Sequence, residues 1–222
     1  MSVNKPYQHI SELSSVIPVF PLENVLLLPQ SQLPLNIFEP RYLSMIDDAV
    51  SSDRLIGLIQ PVQDQTRLST VPVLESIGCV GRITQFGETG DGRYMITLTG
   101  VTRFTILQEL ELVKTYRRCR VSYDAYGQDL QKLSAASNVD RIEILRMLKL
   151  FKQSRGLRID KDAIEKTPDS VLINALSMQM QFKLGERQAL LEAKDIEARA
   201  AILIGIAELE FAEMSGTRTG LQ

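Results

Sequence analysis

The sequence predicts an α+β protein, a β-rich first part followed by a helical bundle. Three observations carry this reading. Residues 77–123 hold four short runs rich in β-branched and aromatic side chains: Val80–Phe86, Tyr94–Thr99, Arg103–Leu110 and Tyr116–Tyr123. Near residue 125 the apolar period changes from 2 to about 3.6. Between Pro34 and Tyr42 an apolar stretch runs straight into a helical pattern, so the first part also contains a strand-to-helix corner.

Taken in order, residues 1–15 are polar and without period, and read as a flexible lead-in. Two apolar runs follow, Val16–Leu22 and Val25–Leu28; prolines 18, 21, 29 and 34 argue against helix and suit edge strands or bends. Apolar residues at 33, 35, 37 and 38 read as a buried strand that Pro40 ends. From Arg41 to Val50, Tyr42, Leu43, Ile46 and Ala49 recur on one helical face. Glu39 and Arg41 flank the joint, where a helix N-terminus leaves backbone N–H groups for a carboxylate to accept. Pro34, Glu39 and Arg41 are therefore expected to form a structural corner. Leu55–Ile59 reads as a short buried strand, and residues 60–70 as a polar, mobile loop. Within 77–123, Tyr94, Ile96 and Leu98 alternate with Met95, Thr97 and Thr99, as a strand covered on one face should. The run Gly87–Gly92 lacks the lysine and the following helix of a phosphate-binding loop. Its Asp91-Gly92 step is instead a hairpin signal, and Gly100 reads as a backbone requirement.

Beyond residue 125, Ser137 or Asn138 can cap a helix carrying Ile142, Leu145, Leu148 and Phe151, closed by Gly156. Ile159–Lys166 has room for one short extra turn. Thr167-Pro168-Asp169-Ser170 reads as a helix start with a capping hydroxyl and proline at the first helical position. Apolar residues through Phe182 follow, and Gly185 ends the run. Glu186–Ala193 reads as a short helix, and Asp195 caps a last one with Ile196, Ala200, Leu203, Ala207 and Phe211 inward. The expected divisions are 1–15, 16–125, 126–214 and a polar tail, 215–222.

Composition narrows the function. With 222 residues, 44% hydrophobic and 23% charged, the chain has the balance of an ordinary globular protein. A net charge of −2 leaves no general footprint for neutralising phosphates, and Arg117, Arg118 and Arg120 form the densest basic run. Cys79 and Cys119 lie far apart in apolar contexts, and His9 is the single histidine, so a metal site is not expected. They read as small buried hydrophobes with reduced thiols. No segment reads as a signal peptide or membrane span, so the expected location is cytoplasmic. H-E-x-x-H, G-x-S-x-G and Walker A patterns are missing, and no cofactor and no catalytic residue is expected.

Several stretches together resemble the N-terminal domain of Lon proteases: Val19-Phe20-Pro21-Leu22, Pro29, Pro34 through Tyr42, Gly78–Ile83, Asp91–Tyr94, Leu98–Phe104, Asn174-Ala175-Leu176 and Gln188–Glu192. Their order and spacing carry the resemblance, which covers about positions 16 to 212. One departure is Gln181, where the family commonly has proline before the residue matching Phe182; it puts the path into the helix at Gln188 in question. The resemblance implies a PUA-like β-barrel subdomain followed by a C-terminal helical bundle. It implies a non-catalytic module for substrate recognition, without the ATPase and protease domains that accompany it in full-length Lon. A related domain in cereblon holds partner proteins. The expected partners are unfolded or exposed apolar protein segments, and a Lon-type protease or its clients. The expected place is a crevice between subdomains, with Phe38, Tyr42, Met178 and Phe182 as peptide-binding candidates. The alternative is an RNA-binding PUA-like protein, resting on Arg117, Arg118 and Arg120.

Overall fold

The structure, a computed structural model, describes residues 5–62, 72–111, 113–132, 139–156, 164 and 166–219. The chain divides into two compact units, Met1–Lys132 and Leu133–Gln222. The class is α+β, as expected.

In the first unit six strands form one sheet: β1 (Val16–Pro21), β2 (Gln32–Ile37), β3 (Leu55–Ile59), β4 (Ile77–Thr89), β5 (Arg93–Glu109) and β6 (Arg118–Ser122). Their spatial order is β2-β5-β4-β3-β1-β6, and β5 pairs a second time with β6, which curls the sheet into a partial, barrel-like ring. Neighbours are antiparallel except β1 and β3. The crossover between those two carries β2 and helix α1 (Pro40–Val50).

The runs Tyr94–Thr99 and Arg103–Leu110, expected as separate strands, belong to one long strand up to Glu109. Gly100 does not interrupt it. Val80 pairs with Thr102 and Gly81 with Gly100, so Val101 is an extra residue, a bulge that bends the strand. A Cβ on Gly100 would stand 2.1 Å from the Leu28 carbonyl oxygen. Only glycine lets the Leu28–Ser31 turn dock there: Gln30 N–H donates to the Gly100 carbonyl (2.8 Å), and Gly100 N–H to that of Ser31 (2.9 Å). The β4–β5 turn is the expected one, with Gly92 at φ +81° and its N–H on the Thr89 carbonyl.

Ile17, Val19, Leu55, Ile59, Val80, Phe104 and Val121 fill the ring, with Cys119 among them. Each fully buried aliphatic or aromatic side chain contributes roughly 1.5–3 kcal/mol. Helix α1 buries Tyr42, Met45, Ile46 and Ala49, one face at helical spacing. Met45, rather than the expected Leu43, completes it. The polar lead-in is not loose from Lys5 onward. Leu13 enters the core, the Tyr123 hydroxyl donates to the Ser14 carbonyl, and Val121 N–H to that of Ser15. A 3-10 turn at Ile10–Glu12 is closed by the Glu12 carboxylate, which accepts N–H from Gln8 and His9.

A second 3-10 segment, Asp124–Leu130, stays with the first unit, beyond the expected division at 125. Its contacts with β5 hold it there. The Thr102 hydroxyl donates to the Tyr126 carbonyl, and Arg103 forks onto Asp129 through Nε and Nη2 at 2.9 and 2.8 Å. The polar stretch 63–71 lies outside the described residues; at its base Val62 N–H donates to the Val73 carbonyl.

The second unit contains α2 (Arg141–Arg155), α3 (Asp169–Gln179), α4 (Leu184–Glu192) and α5 (Ile196–Thr219). Asp140 caps α2, its carboxylate accepting from Ile142 N–H; Ser137 and Asn138 lie outside the described residues. The buried face of α2 is Ile144, Met147, Leu148 and Phe151. Ile142 and Leu145, expected inward, are exposed. Gly156 ends α2 in the left-handed conformation. The turn expected over 159–166 lies largely outside the described residues. Pro168, expected at the first helical position, takes the cap position of α3, so the helix starts one residue later than expected, and it ends at Gln179. Residues 181–183 form no regular element, and α4 begins at Leu184, with the Glu186 carboxylate accepting Lys183 N–H. That is the path which Gln181 left open; Gly185 lies inside α4. Asp195 caps α5 through Ala198 N–H as expected, and the α5 backbone continues beyond Ser215, where a tail was expected.

Candidate cleft beneath Phe38

The first unit opens a cleft of about 440 Å³, lined by residues at the ends of β1 and β2. β1 stops at Pro21, β2 stops at Ile37, and Thr115–Arg117 leads into β6 beside them. Phe20 and Tyr42 lie in it as a tilted pair with ring centroids 4.2 Å apart. Leu35 and Ile37 add apolar wall, and Pro61 and Pro72 border it. Phe38 also lines the cleft and is 62% exposed. Ile37, the last residue of β2, is buried, and Phe38 stands one residue past the strand's end with its side chain exposed.

Glu39 and Arg41 form the charged border, but not as the corner was expected to work. The Glu39 carboxylate makes no bond to the helix N-terminus. It accepts Arg41 Nε at 2.9 Å and Nη2 at 2.8 Å, in a solvent-facing pair. The Glu39 carbonyl instead accepts Tyr42 and Leu43 N–H, with Pro40 at the first helical position, where its missing donor costs nothing. Arg41 also lies 4.5 Å over the Tyr42 ring. Pro34 is exposed on β2, an edge strand, where proline breaks no inner ladder. Across the cleft Arg117 forks onto Glu109 and donates to the Pro72 carbonyl at 2.7 Å. Both lining arginines are thus held by carboxylates of the chain, leaving apolar and aromatic surface as the cleft's main offer.

Burial dominates the titration of the tyrosines here. It raises the Tyr42 hydroxyl and, with the hydrogen bond to Asp48, pushes Tyr116 up to about 12. That bond, 2.6 Å, and the Lys114–Asp48 pair at 3.1 Å tie the 114–116 segment to α1. The Asp48 carboxyl is held below its ordinary range, chiefly by Tyr116 and then by Lys114.

Met178 and Phe182 belong to the second unit, Phe38 and Tyr42 to the first. Phe182 is buried, edge-on to Phe151 at 6.3 Å, with the Arg155 guanidinium about 5 Å from both rings. Met178 is half-buried on α3 and Met180 buried after it. The Asn174 and Gln188–Glu192 stretches have a visible structural use: buried Arg199 donates to the Asn174 side chain and to the Leu190 carbonyl, both at 2.9 Å. Phe20, Tyr116, Pro61 and Pro72 were not among the sequence candidates, because residues far apart in the chain meet at this cleft.

Other chemistry finds little geometry. Among the described residues no three His, Cys, Asp or Glu side chains cluster as a metal site would need. Cys79 and Cys119 are buried thiols not joined in a disulfide, and burial pushes the Cys119 thiol up to about 11. Arg118 and Arg120 lie along β6, but Arg117 is neutralised by Glu109, so the basic run presents no three-cation surface. No described helix is long and apolar enough to cross a membrane.

Comparison with known proteins agrees with the fold. A family model described as the ATP-dependent protease La (LON) substrate-binding domain matches residues 16–208. Lon protease 2 of Sorangium cellulosum is 27% identical over 195 residues, covering 86% of this chain and 24% of the relative. Lon protease 2 of Myxococcus xanthus is 26% identical over 205 residues, covering 87% and 23%. The chain therefore spans about a quarter of the length of these relatives. Two solved structures share the fold. A Lon N-terminal domain protein from Xanthomonas campestris has a TM-score of 0.57 at 21% identity, covering 86% of this chain and 97% of its own. The N-terminal domain of a Mycobacterium avium complex Lon protease has a TM-score of 0.58 at 19% identity, covering 87% and 98%.

Proposed function

The chain belongs to the LON substrate-binding domain family, and from that premise we propose that it is a non-catalytic module that holds exposed apolar segments of other proteins. The observation that carries this is the cleft beneath Phe38: an aromatic pair, apolar walls and an outward phenyl ring, with both lining arginines paired. Such a lining rewards burial of an apolar side chain and asks little of its sequence context. An exposed Phe38 contributes little to the fold and is placed to cover an incoming segment; Tyr42 and Phe20 form the surface it meets. Phe182, buried against Phe151, is suited to hold the second unit's core rather than to touch a ligand first.

The partner class follows: unfolded or partly folded chains, with a Lon-type protease or its clients among them. The test is equilibrium binding of a labelled, permanently unfolded protein to wild type and to Phe38→Ala. Saturable binding that weakens in the variant supports the reading. Absence of saturable binding by a folded wild type ends it.

A further inference from the structure

A second cleft of the first unit, about 330 Å³, shares no residue with the one beneath Phe38. Tyr7, Gln30, Arg82, Gly100 and Lys132 are among its lining residues. Its unusual member is Arg82. This side chain stands on β4, paired across to Leu55 on one side and Thr99 on the other, and the residue is 9% exposed. A guanidinium so deep in a sheet is costly unless something answers its charge.

Its contacts do so only in part. Nη1 donates to the Lys5 carbonyl at 2.6 Å, and the guanidinium lies 3.9 Å from the Tyr7 ring centroid. Neither partner is an anion. The nearby carboxylate, Asp129, is engaged elsewhere: its oxygens accept Nε, Nη2 and the backbone N–H of Arg103. Lys132 adds a second cation at the cleft, and among the described residues neither Arg82 nor Lys132 has an ion-pair partner. The border is also held in shape. Gln30 stands at φ +60°, a conformation non-glycine residues rarely take, with its amide donating to the carbonyls of Asp129 and Gln131.

We propose that this cleft binds a small organic anion, a carboxylate or phosphate monoester, whose charge answers Arg82 and whose body lies along Tyr7. Arginine's planar fork suits either group, and burial strengthens the pairing. Lys132, exposed beside it, adds attraction that salt weakens. This site is separate from the segment-binding cleft and does not depend on the function proposed for it.

The experiment is an amide-resolved NMR titration of the full chain with phenyl phosphate, benzoate and, as neutral control, phenol, at matched ionic strength. Expected are saturable shifts of the Tyr7, Gln30 and Gly100 amides with at least one anion and none with phenol. Whichever anion binds tighter identifies the headgroup. Arg82→Gln should weaken binding about tenfold or more, and Lys132→Ala about threefold. If Arg82→Gln fails to fold, Lys132→Ala, altered only at an exposed side chain, decides. No saturable shift, equal binding of phenol, or unchanged affinity in Lys132→Ala and in any folded Arg82→Gln would overturn the assignment.

Discussion

Replacing Phe38 by alanine separates binding from folding. The residue is 62% exposed, and its recorded ring contact is Arg93, whose guanidinium lies 6.0 Å from the ring centroid. Covering a phenylalanine completely is worth roughly 1.5–3 kcal/mol. A bound segment that covers the exposed part recovers about 1–2 kcal/mol, or roughly 5- to 30-fold in affinity. The fold should lose no more than about 0.5 kcal/mol, as for most surface changes. Fluorescence anisotropy with a labelled unfolded protein reads the first quantity, and urea unfolding followed by circular dichroism reads the second. Tyr42→Ala provides the contrast. Tyr42 is 7% exposed and pairs with Phe20, so its loss should cost about 3–5 kcal/mol of stability, and any binding defect there is uninformative. Phe38→Ala with unchanged stability and affinity within about twofold of wild type would refute the assignment of the cleft.

Three further outcomes test the frame around the clefts. Gly100→Ala should lose about 3 kcal/mol or more in urea unfolding, through overpacking against the Leu28 carbonyl and two weakened backbone bonds; Gly87→Ala, with nothing within 4 Å of its added carbon, should be near neutral. Arg103→Gln leaves Asp129 buried without its partner, so a loss of about 3–5 kcal/mol is expected in the same assay, and a loss below about 1 would contradict the pairing. Tyr116 loses its proton near 10 when unfolded and near 12 when folded, so its contribution is full below pH 10 and disappears as pH rises toward 12. Spectrophotometric titration should show several late tyrosines, since Tyr42, Tyr94 and Tyr123 are raised as well, and Asp48→Asn should bring one of them, Tyr116, earlier; a titration unaltered by that change would rule out the Tyr116–Asp48 bond.

Local chemistry announced itself where neighbours in sequence decide it. Asp91-Gly92 makes its turn, Asp195 caps its helix, and Tyr42, Ile46 and Ala49 share the inward face of α1. What stayed hidden depended on partners far away. Gly100 reads as a backbone requirement between two strands; the requirement is there, but its cause is the Leu28 backbone, which approaches one continuous strand at that point. Ile142 and Leu145 fit a helical stripe on apolarity, but the buried face is turned to Ile144 and Met147, a choice helical spacing alone leaves open.

Phe38 shows how period and composition part company. Counting apolar residues groups it with Leu33, Leu35 and Ile37 as one buried strand. A strand alternates, however, so if 33, 35 and 37 point inward, 38 must point out. With Ile37 at 2% exposure and Phe38, one residue past the end of β2, at 62%, the exposures follow that pattern. An outward phenylalanine adds little to the core, and single exposed apolar residues are common enough to mean nothing alone. Here the ring stands at a cleft whose aromatic pair is assembled from β1 and α1, and the position gives its exposure a use. The periodic mismatch at 37 and 38 was available in the sequence; Phe20, brought to Tyr42 by the return of the chain, gives it meaning only in three dimensions.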